Sequence, residues 1–351
     1  MLLIMTECQS IFITRYGSPA VLKLRPASIP EPAPGEVQLN IKYSGINFAD
    51  TMSRMGLYPT RLNPPYVPGM EIAGTVSAVG DNSQSHMIGQ VVVGLCKSGG
   101  YSNYVNVPAG QLFIIDPKWL DVAAAIPVNY LTAYFMMIHQ GNLRENETIL
   151  IHGIGGGVGI AALQIAKRIG ARIIGTASGM KHKQLRDFGV EDLIDYRTED
   201  FRKRVLEITK NRGVDLVLDP LGGKALASSY ACLSEFGRVA VYGFSSAAKG
   251  LRRNYLKILP EYFGMPNFKP TNLMMKNKGA FGFHLGMIRH RKDLIRDYGN
   301  ILFQWLEEGT ISPVIDTVFT LEKAAAAHRY IACLLYTSDA ADEGLGVDLG
   351  G

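Results

Sequence analysis

The stretch Thr148 to Gly170, TILIHGIGGGVGIAALQIAKRIG, constrains this chain more than any other, because it reads as a strand, a glycine turn and a helix in immediate succession. Thr148 to Ile151 are β-branched or aliphatic and suit a buried strand. Ile160, Leu163, Ile165, Ala166 and Ile169 recur at helical spacing before the closing Gly170. Between them, Gly153, Gly156 and Gly159 fall three apart. That spacing lets the backbone turn sharply, approach a pyrophosphate closely and pack the helix tightly on the strand. The amides and dipole of such a helix start favour phosphate. A tight strand-to-helix turn with no ligand would show the same glycines, and only the strand before and the helix after tip the reading toward a dinucleotide site.

The next strand, Ala171 to Thr176, runs into GTASGMKHK, which lacks the Asp or Glu that would bind a ribose hydroxyl. Ser178, Lys181, His182 and Lys183 offer a hydroxyl and cations instead. They suit a 2′-phosphate, hence NADPH over NADH, although a solvated basic helix start reads the same way.

A chain of 351 residues with 47% hydrophobic content can build two domains. It has no apolar run of the roughly eighteen residues that a membrane span needs. The opening MLLIM is too short for a signal peptide, so the sequence reads as a soluble cytoplasmic protein. Cys8, Cys96, Cys232 and Cys333 are scattered singly, without the spacing of zinc ligands or a redox pair. No metal site is expected. The net charge of +5 fits anionic cofactors or an acidic membrane surface, and no DNA- or RNA-binding motif appears.

Three regions follow. Residues 10–125 are rich in glycine, proline and short β-branched runs and read as a small irregular β-domain. From 126 to 286 strands and helices alternate, with VDLVLDPLGG at Val214 to Gly223 and GRVAVYGFSS at Gly237 to Ser246, which implies a doubly wound parallel sheet of Rossmann type. Gly222, Gly243 and Phe244 fall just past strand ends, where such sheets bind cofactors, though turn geometry alone would also explain the glycines. FGFHL, Phe281 to Leu285, reads as the last strand of that sheet. Residues 287–331 return to the first domain through a helix from Lys292 to Glu308. In the tail, 332–351, the stretch Cys333 to Glu343 resembles a translated sequencing adapter; it is read as foreign or disordered, leaving the first domain without its closing strand. Leu251 to Lys278 is basic and apolar at once and reads as a lid, a lipid-facing patch or a core helix with a basic face.

Taken together, GINFADTMSRMGLYP, VPGMEIAGTVSAVG, VNYLTAYFMM, IHGIGGGVG, GTASGMKHK, DLIDYRTED, LVLDPLGG and FGFHLG resemble the zinc-free quinone oxidoreductases of the medium-chain dehydrogenase/reductase superfamily, in particular the synaptic-vesicle amine transport branch. The resemblance implies a GroES-like catalytic domain beside the Rossmann domain. It places Asn47 and Thr132 beside the nicotinamide, Gly156, Gly157 and Val158 at the pyrophosphate, and Ser178, Lys181 and Tyr196 at the 2′-phosphate. Gly243 and Phe244 match the turn along the cofactor, while Phe283 and Leu285 match the nicotinamide pocket and the subunit contact of a homodimer. Met70 stands where zinc alcohol dehydrogenases have a His, and Met52 where many quinone reductases have a Tyr. The function so implied is NADPH-dependent, zinc-independent reduction of quinones or α,β-unsaturated carbonyls, with the amides of Asn47 and Asn129 or backbone N–H groups steadying the oxyanion, and water or Tyr58 as proton source. The competing reading is a lipid- or vesicle-associated protein that keeps the nucleotide as a structural ligand.

Overall fold

The computed structural model describes residues 5–248, 255–337 and 345–348. Arg252 and Arg253 of the basic apolar segment, and residues 338–344 of the tail, lie outside the described residues. The chain divides into two units, one holding the residues up to Leu131 and Gly286–Ile331, the other Thr132–Leu285.

In the first unit, β1 (Met5–Ile13) and β2 (Leu22–Pro30) form an antiparallel ribbon. β3 (Glu36–Ile46) is the spine of a larger sheet, because Val37, Leu39 and Ile41 alternate into the core and its long ladder serves neighbours on both sides. It pairs antiparallel with β4 (Glu71–Val79) and with β6 (Tyr104–Pro108), and β4 continues the sheet into β5 (Val91–Leu95) and β7 (Leu112–Ile114). β3 runs directly into Asn47 and the helix Phe48–Met55, which ends on the left-handed Gly56.

In the second unit, β8 (Thr148–His152), β9 (Arg172–Ala177), β10 (Asp192–Asp195), β11 (Val214–Asp219), β12 (Leu233–Val241) and β13 (Gly279–Gly282) make one sheet in the order β10-β9-β8-β11-β12-β13. Every pairing is parallel. The strand order reverses between β8 and β11, the point where doubly wound sheets open a crevice for ligands. Leu150, Ile174, Val217 and Val239 pack with Val205 and Leu226 of the flanking helices into a continuous buried core. The helix Pro127–Tyr134 passes into a π-helical stretch, Phe135–Gln140, ahead of β8.

Two expectations are corrected. The last strand is Gly279–Gly282 and not Phe281–Leu285: the Phe283 amide still donates to the Val241 carbonyl at 2.9 Å, but the chain then leaves the ladder and Leu285 opens a single 3-10 turn to Met287. Alternation in FGFHL misled because apolar period alone does not mark where a ladder stops. The first sheet also does not lack its closing strand. After β14 (Val318–Phe319) the helix Ala324–Thr337 continues through part of the stretch read as foreign, and β15 (Leu345–Asp348) pairs parallel with β14 and antiparallel with Tyr43–Ile46 of β3. The short run LGVD suffices because an open strand edge accepts any extended segment that brings backbone donors and acceptors. Among the described residues, no single helix is long and apolar enough to cross a membrane.

Candidate functional site

The glycine turn of the second unit is built as a cradle. Gly153 takes a left-handed φ of 60° directly after β8, and its amide meets the Thr176 hydroxyl at 3.3 Å while the Ile154 amide meets the Thr176 carbonyl at 3.1 Å. The helix Gly157–Ile169 starts at once, with Gly156 at its cap position and no side chain capping it, and Val158 in its first turn. A Cβ on Gly159 would stand 2.3 Å from the Gly153 carbonyl oxygen, so only hydrogen fits where helix and turn touch. His152 is buried at the end of β8, with Nδ1 at 3.1 Å from the Thr176 hydroxyl and Nε2 at 3.0 Å from the Ser229 hydroxyl, and burial holds its pKa low.

Ser178 follows β9, fully buried, and its hydroxyl has no hydrogen-bond partner among the described residues. A buried hydroxyl without a partner is costly unless something else satisfies it. Lys181 lies on the following turn and brings Nζ to 3.5 Å from the Gly155 carbonyl, which joins it to the glycine turn. Tyr196 leaves β10 one residue after Asp195, the partner of Ala177 in the ladder. Ser178, Lys181 and Tyr196 therefore gather at one end of β9 and β10, and the donor set suits a phosphate monoester beside a pyrophosphate cradle. Sequence reasoning missed Asp195. A Cβ on Gly179 would stand 2.6 Å from its Oδ2, so the acid absent from GTASGMKHK arrives from the neighbouring strand. The ladder Asp195↔Ala177 puts it there, and no local spacing signals that pairing.

At β11 the buried Asp219 accepts the Leu221 and Gly222 amides through Oδ1, each at 2.8 Å. A Cβ on Gly222 would reach Phe244 Cδ2 at 2.7 Å, and one on Gly243 the Pro220 carbonyl oxygen at 2.6 Å, so the turns after β11 and β12 close on each other. Phe283 stacks on Phe135 with ring centroids 5.3 Å apart, and Leu285 lies half-buried two residues on. Thr132 is buried in the helix Pro127–Tyr134.

The first unit holds a second polar cluster. Asn47 is buried at the cap of Phe48–Met55, and its Nδ2 donates to Glu71 Oε1 at 2.7 Å. Glu71 Oε2 accepts the Val128 amide at 2.7 Å, and the Glu71 carbonyl accepts the Ser44 hydroxyl at 2.9 Å. Asp50 accepts the Asn47 amide at 2.8 Å, with further bonds from the Gly69 amide and the Tyr101 hydroxyl. Arg54 Nε–H donates to His328 Nδ1 at 3.3 Å, which leaves the proton on Nε2, 3.3 Å from the Tyr101 oxygen. The bonds thus run one way, from Arg54 through His328 and Tyr101 to Asp50.

Burial dominates the electrostatics of this cluster. It pushes Asp50 up to about 7 and Glu71 to about 8, with the Asp50 charge adding to the second, and it holds His328 down at about 3, helped by Arg54. Burial and the Asp50 charge raise Tyr58 to about 12, so it stays a phenol able to donate. Asn129 is buried and sends Nδ2 back to the Ala125 carbonyl at a long 3.5 Å. Glu71, Asp50, Arg54, Tyr101 and His328 were all missed. The one available signal was a charged residue opening the apolar run EIAGTV. Among the described residues no group of three or more His, Cys, Asp or Glu could hold a metal ion.

A Rossmann sheet with a glycine cradle, in one chain with an antiparallel domain bearing a buried carboxylate–amide cluster, defines a medium-chain dehydrogenase/reductase. Residues 33–117 match the alcohol dehydrogenase GroES-like domain and residues 157–300 the family described as zinc-binding dehydrogenase. The rat synaptic vesicle membrane protein VAT-1 homolog is 38% identical over 324 residues, spanning 91% of this chain and 80% of that protein. Human quinone oxidoreductase is 30% identical over 328 residues, 92% of this chain and 93% of that one. The structure of Escherichia coli quinone oxidoreductase complexed with NADPH superposes with a TM-score of 0.83 at 28% identity, covering 97% of this chain and all of that one (100%). The chain belongs to the zinc-free quinone oxidoreductase-like family of this superfamily.

Proposed function

We propose that this protein is an NADPH-dependent, metal-independent reductase of quinones or α,β-unsaturated carbonyls. The observation that carries the reading is the buried Ser178 hydroxyl, without a partner among the described residues, beside Lys181 and the glycine cradle, a donor set that suits a 2′-phosphorylated dinucleotide. The similarity to quinone oxidoreductases, one of them complexed with NADPH, supports it. Gly156, Gly157 and Val158 would hold the pyrophosphate through backbone amides; Ser178, Lys181 and Tyr196 would hold the 2′-phosphate. When bound, NADPH supplies the hydride. The chain supplies hydrogen-bond donors for the oxygen that gains charge: the amide of Asn47, which the family resemblance puts beside the nicotinamide, the amide of Asn129, or backbone N–H groups. Tyr58 or water returns the proton. The test is NADPH oxidation with a panel of simple quinones and enones, before and after overnight chelation. Turnover that survives chelation supports the reading, and turnover abolished by chelation and restored by zinc alone overturns the metal-free part.

A second reading has its own observation. Leu259, Tyr262, Phe263, Met274 and Met275 are all exposed, beside Lys269 and Lys276. Such a surface suits an anionic lipid interface. Salt-sensitive binding to liposomes containing phosphatidylserine, without turnover in the panel, would favour a lipid-associated protein with a structural nucleotide. The open edge of β13 would also pair two copies of the chain, and a monomer by light scattering at micromolar concentration would dismiss that arrangement.

A further inference from the structure

We propose that Glu71 is a positioning residue whose proton sets which way round the Asn47 carboxamide stands. Its catalytic consequence rests on the hydride-transfer reading above; its structural consequence rests on the geometry alone.

Both Glu71 oxygens already have donors. Oε2 takes the Val128 backbone N–H, a donor that cannot reverse, and Oε1 takes Asn47 Nδ2–H, each at 2.7 Å. A carboxylate only accepts, so ionised Glu71 dictates that Asn47 turns its nitrogen inward. The side chain lies against Gly45, in the space that a Cβ there would occupy. When Glu71 takes a proton, the Val128 N–H keeps Oε2 as an acceptor, so the proton sits on Oε1. There it opposes the Asn47 N–H. An O–H directed at Asn47 is satisfied when the carboxamide turns over and presents Oδ1 to it. The nitrogen that Asn47 holds toward ionised Glu71 is then turned outward, and Oδ1 takes its place against the carboxyl group.

The surroundings place this exchange near neutrality. Burial is the main cause of the raised Glu71 pKa of about 8, and the Asp50 charge acts in the same direction. The Cys96 thiol, pushed up by burial and by both carboxylates, stays neutral beside them and donates to the Gly69 carbonyl. Asp50, whose contacts include the Asn47 amide, the Gly69 amide and Tyr101, is the charged group among the described residues whose charge acts on Glu71.

The experiment follows the Asn47 side-chain amide by nitrogen–proton correlation spectra of the full chain, assigned by its loss in N47D, from about pH 6 to pH 9.5. Wild type should show the Asn47 signals moving with a midpoint near 8. In E71Q the introduced amide oxygen takes the Val128 N–H and its nitrogen faces Asn47, which locks Asn47 turned over, so the signals should be shifted and flat with pH. In quinone turnover, E71Q should lose the ionisation near pH 8 from its kcat profile, with the NADPH KM within about twofold of wild type. Asn47 signals that ignore pH in wild type, or that titrate with the same midpoint in E71Q, overturn the proposal. A wild-type protein without turnover would overturn the reductase reading and leave the spectra to decide this one.

Discussion

Gly45 and Glu71 occupy one slot: a Cβ on Gly45 would stand 2.1 Å from Glu71 Oε1 and 2.6 Å from its Cδ. Glycine at that position of β3 is therefore what lets a full-length carboxylate lie buried against the strand. Gly45→Ala must either displace Glu71 from Asn47 and Val128 or bend β3. Overpacking and the lost bonds together should cost about 2–4 kcal/mol of stability. Urea unfolding measures this, and a variant as stable as wild type would show that β3 absorbs the methyl without moving Glu71.

The buried carboxylates make a signed prediction for pH. Folded Asp50 and Glu71 hold their protons to about 7 and about 8, above their ordinary 3.8 and 4.5, so the folded state binds more protons across that window and stability falls as pH rises through it. His328 acts oppositely: held down at about 3 against an ordinary 6.5, it contributes stability that is present above 6.5 and lost as pH falls toward 3. The two oppose one another below 6.5, and only the carboxylates act from there to about 8. The melting temperature should fall between those limits at constant ionic strength, with a shallower slope in Glu71→Gln. A rise over the same interval would contradict the assignment.

The nucleotide half of the candidate site was legible because its signals are local. Gly153, Gly156 and Gly159 sit in one turn between adjacent elements, so spacing alone predicts the left-handed Gly153 and the close approach of Gly159. The first-unit cluster was not legible because its members come from distant parts of the chain. Arg54 and His328 stand 274 residues apart, and Asn47 and Glu71 meet only because β3 and β4 pair antiparallel. Asp195 was hidden for the same reason, its place being set by the parallel register of β10 on β9. The limits of β13 were missed because glycines at both its ends leave alternation as the sole cue, and alternation continues past the last ladder bond.

Gly159→Ala tests the cradle. The added methyl would stand 2.3 Å from the Gly153 carbonyl oxygen and 2.7 Å from the Ile154 backbone, and backbone cannot move aside as a side-chain end can. The helix should back away from the turn, weakening NADPH at least about tenfold while the first unit keeps its pH-dependent melting. Unchanged affinity would return the turn to a purely structural role.

Lys181 and Asp195 both lie at the end of β9, where we propose that cofactor choice is set. Lys181 approaches the glycine turn at Gly155, and Asp195 closes on Gly179 from β10, so a cation and an acid share the place where a 2′ substituent would lie. A phosphate there gains from Lys181 and the Ser178 hydroxyl and is opposed by Asp195; a ribose hydroxyl can donate to Asp195 and needs no cation. Lys181→Ala should therefore weaken NADPH by about ten- to a hundredfold, with NADH nearly unchanged, because a charge-assisted contact is worth roughly 1.5–3 kcal/mol. Asp195→Asn should act the other way, tightening NADPH slightly and weakening NADH. Ser178→Ala should stay folded, since its hydroxyl has no partner to lose among the described residues, and should weaken NADPH alone. Titration of the three variants with both nucleotides, repeated at low and high salt, separates these outcomes, and the NADPH advantage should shrink with added salt. A wild-type protein that binds NADH as tightly as NADPH, or a Lys181→Ala variant that weakens both equally, would mean that the cluster does not read the 2′ position.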